Sequence, residues 1–213
     1  MRIGRTVVLL TLALGANLII GPASVFGQKS SEHKVGSDHA AMMKAEKSIA
    51  AELSKLSAAD RKLAETQRFC PVMEYSRLGS DGTPIKVMVA GKPFFVCCKG
   101  CVKGATKNGA ATLKKAQKLA KASSGLGKLP MKDRMAAEMQ KFCAIANKNY
   151  LGSMGKPLKL TVDGKPVYLC CKGCVGKAKA DPAATLTKVA SLNKVGHEKT
   201  HGDHGHDHSK HKD

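Results

Sequence analysis

The sequence predicts an α+β chain: two tandem small helix–β-hairpin–helix modules followed by a disordered His-rich C-terminal tail. Three observations carry that prediction. Cys70, Cys97, Cys98 and Cys101 recur 73 residues later as Cys143, Cys170, Cys171 and Cys174, and these two sets hold all eight cysteines of the chain. Around them the hydrophobic pattern switches from helical spacing to strict alternation and back in each copy. Beyond Val195 no apolar residue remains, so the last segment has nothing with which to build a core.

The first residues read as an export signal. Arg2 and Arg5 precede an apolar run from Thr6 to Ile20, and Val25 and Gly27 suit cleavage before Gln28. The run is shorter than the roughly 20 apolar residues of a spanning helix, which favours cleavage over anchoring. The organisation expected from there is a signal peptide over 1–27, a polar linker and helix start over 28–50, and a first Cys module over 51–122. A linker over 123–128, a second Cys module over 129–194 and the tail over 195–213 follow. The expected location is periplasmic or secreted.

The copies align without a gap from Leu56–Lys121 onto Leu129–Lys194, with about half of the positions identical. In each, a first helix is expected on the spacing of Leu63, Thr66, Phe69 and Cys70, or of Met135, Ala136, Met139, Phe142 and Cys143. Ser57, with Asp60 three residues on, suits a capped start. A hairpin follows: Leu158, Leu160 and Val162 alternate with polar residues, Asp163-Gly164 makes the turn, and Val167–Cys170 returns. Ala90-Gly91 is a weaker turn signal in the first copy. Cys-Cys-Lys-Gly-Cys then leads to a further helix, which Asp181-Pro182 starts firmly and Asn108-Gly109 less cleanly. Ser123–Lys128 reads as a linker.

Each module therefore places three cysteines at the end of a hairpin and a fourth at the end of the preceding helix, in the manner of a zinc knuckle. A unit of about 66 residues with no Trp and 4% aromatics needs a staple, since such a core supplies only about 3–5 kcal/mol. A structural Zn²⁺ is worth about 10–16 kcal/mol in small fingers, and a disulfide about 3–4. An oxidising compartment and an even cysteine count favour disulfides. Three thiols within five residues favour a shared ion, Zn²⁺ or Cu⁺ in particular. A redox dithiol is the third alternative. Because neighbouring strand residues face opposite ways, Cys97 or Cys98 is free to face the core, leaving Cys₄ and Cys₃ sites both open.

Each unit resembles the TRASH/YHS-type metal-binding modules. The residues that carry the resemblance are Cys70-Pro71-Val72, the run Gly91-Lys92-Pro93-Phe94-Phe95-Val96-Cys97-Cys98, Cys101, and Asp181-Pro182. The signature of one Cys followed by Cys-x-x-x-Cys maps onto Cys70, Cys97 and Cys101, and onto Cys143, Cys170 and Cys174. The first spacing is longer than that signature, the doubled Cys is extra, and Ala144 replaces the proline. The resemblance implies a treble-clef-like fold and metal binding or sensing rather than catalysis.

In the tail, His197, His201, His204, His206, His208 and His211 alternate with Gly, Asp and Lys, a flexible imidazole set suited to weak Ni²⁺, Cu²⁺ or Zn²⁺ binding. His33 and His39 lie near Met42 and Met43 at the other end. The net charge of +20 is mostly Lys; it favours attraction to anionic surfaces. An exported chain without aromatics interleaved with Arg is a poor match to nucleic acid. No nucleophile–base pair, phosphate loop or carboxylate pair is placed for chemistry, so no enzyme is expected. The expected role is metal buffering, delivery or resistance, with metal ions and a transporter or efflux component as partners. The alternative is a disulfide-stabilised adaptor whose basic surface binds anionic envelope components.

Overall fold

Helix ends, more than helix centres, shape this chain. The computed structural model describes residues 35–201; the expected signal peptide, His33, His204, His206, His208 and His211 lie outside the described residues. Helices α1 (Val35–Ser54) and α2 (Ala58–Gln67) lead to strands β1 (Ile85–Val89) and β2 (Lys92–Val96), then to α3 (Lys99–Lys107) and α4 (Gly109–Leu126). The second copy has α5 (Met131–Gln140), β3 (Leu158–Val162), β4 (Lys165–Leu169), α6 (Gly173–Ala180) and α7 (Pro182–His201).

Ser57 caps α2, its hydroxyl accepting from Asp60 N–H at 3.2 Å. The helix ends earlier than its hydrophobic spacing suggests. Arg68 and Lys141 adopt left-handed φ of 65° and 63°, so Phe69, Cys70, Phe142 and Cys143 lie beyond α2 and α5. Phe69 and Phe142 form antiparallel bridges to Arg77 and Tyr150 instead. A left-handed non-glycine residue is strained, and here the side chains are pinned by partners described below.

The hairpins match the alternation. β1 pairs antiparallel with β2 from Ile85↔Val96 to Val89↔Lys92, and β3 with β4 from Leu158↔Leu169 to Val162↔Lys165. Both central turn residues have positive φ in each copy: Ala90 and Gly91 at 48° and 72°, Asp163 and Gly164 at 45° and 73°. That is the type I′ requirement, met by Ala90 despite its weaker preference. After each hairpin come two helices where one was expected. A short one carries Cys101 or Cys174, and a long one follows, which the Asp181 carboxylate caps by accepting from Ala184 N–H at 2.9 Å. Asn108 makes no such side-chain bond.

Two hydrophobic cores form, one around Leu78, Phe94, Phe95 and Val96, the other around Leu151, Val167, Tyr168 and Leu169. Both belong to one compact unit that begins at Gly36. The expected linker-and-helix-start over 28–50 and the expected linker over 123–128 contribute to those cores. Segment 28–50 holds most of α1, whose Ile49 joins the first core together with Leu53. Segment 123–128 begins inside α4, where Ser123, Gly125 and Leu126 are buried. Ala116 of α4 packs in the first core and Leu126 in the second, so one helix serves both. The reason is close backbone approach: a Cβ on Gly125 would overlap the carbonyl oxygens of Gly152 and Gly155, and one on Gly152 that of Ala122. Gly79 meets Ile49 of α1 in the same way, with a Cβ only 3.0 Å from its carbonyl oxygen. At the other end, α7 continues past Val195, where the tail was expected to begin, through His197 to His201. Gly196 is buried against Met139 and Tyr75.

Between the cores lies a set of ion pairs. Arg68 forks onto Glu138 at 2.7 and 3.2 Å, and Arg77 onto Glu46 at 2.9 and 3.3 Å. Lys141 sits 3.4 Å from the Phe69 ring centroid and donates to the Glu74 carbonyl. Burial lowers the Lys141 pKa to about 7, with Glu138 and Glu74 pulling the other way. The Glu74 carboxylate accepts from Tyr150 and pairs with Lys115 at 2.7 Å.

Two outcomes follow for equilibrium denaturation. Gly125→Ala is expected to cost about 1–3 kcal/mol through overpacking. Gly104→Ala, with only Val72 at 3.5 Å, should be neutral or stabilising by up to about 1 kcal/mol; equal effects would refute close approach as the cause. Glu138→Ala should cost about 2–3 kcal/mol, because it removes the fork on half-buried Arg68 and leaves Arg68 and Arg77 to share Glu46. Its repeat counterpart Glu65→Ala removes only an exposed pair with Arg61 and should cost at most about 1 kcal/mol.

Candidate metal centre

Each site assembles from a loop, a strand end and a helix start. Past the left-handed break, Cys70 N–H donates to the Ser76 carbonyl at 3.0 Å and Cys143 N–H to that of Asn149 at 3.0 Å. The chain then curls around its own sulfur, so that Met73 N–H donates to Cys70 Sγ and Ala146 N–H to Cys143 Sγ, both at 3.4 Å. Cys97 and Cys170 directly follow β2 and β4. Cys101 and Cys174 lie in the first turns of α3 and α6, where their N–H groups bond the Cys98 and Cys171 carbonyls at 3.1 and 3.2 Å.

The sulfurs of Cys70, Cys97 and Cys101 all lie within 4.8 Å of one another, as do those of Cys143, Cys170 and Cys174. All six residues are buried, while Cys98 and Cys171 are half-buried at the rim. Those two thiols still touch their clusters, with Cys98 Sγ 3.7 Å from Cys101 Sγ and Cys171 Sγ 3.8 Å from Cys174 Sγ. Other approaches are 3.7 Å for Cys97–Cys101, 3.7 Å for Cys143–Cys174, 3.8 Å for Cys170–Cys174 and 3.9 Å for Cys170–Cys171. A tetrahedron with metal–sulfur bonds of about 2.3 Å has edges of about 3.8 Å. A disulfide requires about 2.05 Å. All eight cysteines are free thiols at these separations. The two Cys₃ groups can hold a metal ion.

The electrostatics suit a cation. The Cys97 thiol lowers the Cys70 pKa to about 6, helped against burial by the N–H groups of Met73, Cys97 and Val72. Hydrogen bonding to Cys70, burial and the neighbouring sulfur charges push Cys97 up. Burial, then the charge on Cys70, raises Cys101 to about 12. In the second site burial opposes ionisation of Cys143, but the N–H groups of Ala146, Cys170 and Ile145 prevail and lower its pKa. Burial and Cys143 raise Cys174 to about 11, and burial raises Cys170. Cys70 in the first set therefore ionises more readily than an ordinary thiol, as do Cys143 and, through hydrogen bonding with Cys174 and Cys170, Cys171 in the second. Cys97, Cys101, Cys170 and Cys174 need a cation to stabilise their charge, so binding an ion expels protons.

The residues that align the ligands were not apparent as site residues from sequence. Gln67 is buried and donates from Nε2 to the carbonyls of Phe69 at 2.9 Å and Phe95 at 2.7 Å, while its Oε1 accepts from Phe95 N–H at 2.8 Å. Gln140 does the same with Phe142 at 2.8 Å and Tyr168 at 2.7 and 2.9 Å. Each glutamine ties the segment entering Cys70 or Cys143 to the strand that leads into Cys97 or Cys170. The available signal was a polar residue at the same place in both copies, three positions before the first cysteine.

Of the tail histidines, His197 is exposed on α7 and is in neither cysteine cluster, and the helix ends at His201. His39 lies on α1. Among the described residues no helix is long and apolar enough to cross a membrane. Comparison with protein-family models, curated proteins and solved structures returns no match to this chain.

Replacing Gln67 and Gln140 by Met keeps their length but leaves buried carbonyl and N–H groups unpaired, at about 1–3 kcal/mol per group. The expected result is weaker Zn²⁺ binding in a competition titration, at both sites, with all eight thiols present. Unchanged affinity would show that the glutamines do not align the ligands.

Proposed function

We propose that this is an exported metal-binding protein that takes a soft or borderline cation, Zn²⁺ or Cu⁺, in two Cys-rich sites and serves metal buffering, delivery or resistance. The observation that carries the reading is the repeated convergence of three buried sulfurs within 4.8 Å of one another. Their closest separations, 3.7 to 3.8 Å, suit thiolate coordination. The three sulfurs that converge in each repeat are those on which the resemblance to TRASH/YHS-type modules rests. The His-rich segment from His197 to His211 supplies weaker sites for Ni²⁺, Cu²⁺ or Zn²⁺, and a transporter or efflux component is the fitting partner. Export rests on the basic, apolar and small-residue pattern of residues 1–27.

Native mass spectrometry of the full chain, prepared without oxygen and again after mild oxidation, tests the reading. Two tightly held ions, one per Cys cluster, are expected in both preparations, and Cys70→Ser or Cys143→Ser should each remove one. Eight oxidised sulfurs with no bound ion would replace this reading by the disulfide-stabilised adaptor.

A further inference from the structure

The fourth cysteine of each set differs from its companions in the same way in both repeats. Cys98 and Cys171 are half-buried, and the other six cysteines are buried. The next two residues, Lys99-Gly100 and Lys172-Gly173, are exposed. Neither glycine has a positive φ, so the backbone does not call for glycine there. What glycine leaves open is the sulfur. A Cβ at Gly100 would meet Cys98 Sγ at 3.8 Å, and one at Gly173 would meet Cys171 Sγ at 3.8 Å, with no other atom in contact beyond the local backbone. A larger side chain at either place would stand over the thiol.

The surroundings are cationic. Lys99, Lys103 and Lys107 are exposed on α3, Lys177 and Lys179 on α6 beside Lys172, and neither helix carries an acidic residue. A visiting ligand is therefore favoured when it is anionic.

We infer that Cys98 and Cys171 are the exchange ligands of the two clusters, through which a bound soft cation passes to or from a thiolate carried on an anionic molecule. This rests on the metal-binding reading above. The three buried sulfurs of each site retain the ion while the fourth position turns over. In the exchange step the incoming thiol gives up its proton as its sulfur bonds to the ion. The bond from the ion to Cys98 or Cys171 breaks, and that sulfur takes up one proton. No oxidation state changes. Complete transfer repeats the substitution at the buried sulfurs, with the acceptor supplying a thiolate for each bond broken.

The test uses the full chain loaded with Zn²⁺, and a chromophoric indicator reports release to glutathione or to neutral 2-mercaptoethanol. Gly100→Val with Gly173→Val leaves all eight sulfurs in place, so two ions should still bind with unchanged affinity. Release to glutathione should slow by about tenfold or more because access to the sulfur is reduced. In the unaltered protein glutathione should outrun 2-mercaptoethanol, and added salt should erase that advantage. Unchanged release from the valine variant, at unchanged affinity, would overturn the inference. A chain that binds no ion would overturn the metal-binding reading itself. Should the valine variant not fold, iodoacetamide mapping of the metal-free protein decides: Cys98 and Cys171 are expected to be alkylated first, and earlier labelling of Cys70 or Cys143 would refute it. Faster exchange with a glutamate-rich dicysteine peptide than with glutathione would assign the acceptor to a protein, and the reverse to a small thiol; either supports the exchange role.

Discussion

Gln67 and Gln140 hold the constraint on which the two sites depend. Each site needs a sulfur from a loop and sulfurs from a strand end and a helix start to meet at one point, although 26 residues separate the first from the rest. One buried side-chain amide in each repeat bonds both sides of that gap, using its donor and acceptor together. A buried amide with its partners satisfied is specific in direction as well as position. It ties the Phe–Cys segment to the return strand. The left-handed residues Arg68 and Lys141 make that geometry reachable, because they end the helix one residue after the glutamine.

The repeats are similar in backbone and different in partners. Arg68 and Lys141 occupy the same place and have the same φ sign, but one forks onto Glu138 and the other is buried over Phe69. Such strain persists only where the surroundings over-determine it. Glu74, in the loop that carries Cys70, receives both Lys141 and Tyr150 from the flanks of the Cys143 loop. The two cysteine loops are thus joined directly. Helix α4 adds a second tie, since its first half packs in one core and its last turn in the other.

Much of this was legible locally. The hairpins follow from alternation and a two-residue turn, α7 starts at Asp181-Pro182 as its cap chemistry suggests, and the cysteine string marks the ligand cluster. The failures share a cause. Phe69 and Phe142 extend a helical pattern, yet backbone strain at the preceding residue, stabilised by distant partners, ends the helix first. Ser123–Lys128 has the composition of a linker, but Gly125 and Gly152 allow helix and turn backbones to touch, which makes the segment core. The apolar residues of α1 are mostly Ala and Met, and its burial depends on Ile49 and Leu53 meeting a core made by later residues.

By itself the sequence determined what repeats: two equal cysteine sets, their hairpins and the residue types able to bind a soft cation. Those are properties of spacing and side-chain chemistry, which survive without a folded chain. Only the tertiary structure decided which cysteines of each set are enclosed. Cys97 and Cys170 turn inward with the loop and helix sulfurs, while Cys98 and Cys171 stand at the rim. Adjacent residues on a strand end point apart, and which of them meets the loop sulfur depends on the glutamine clamp.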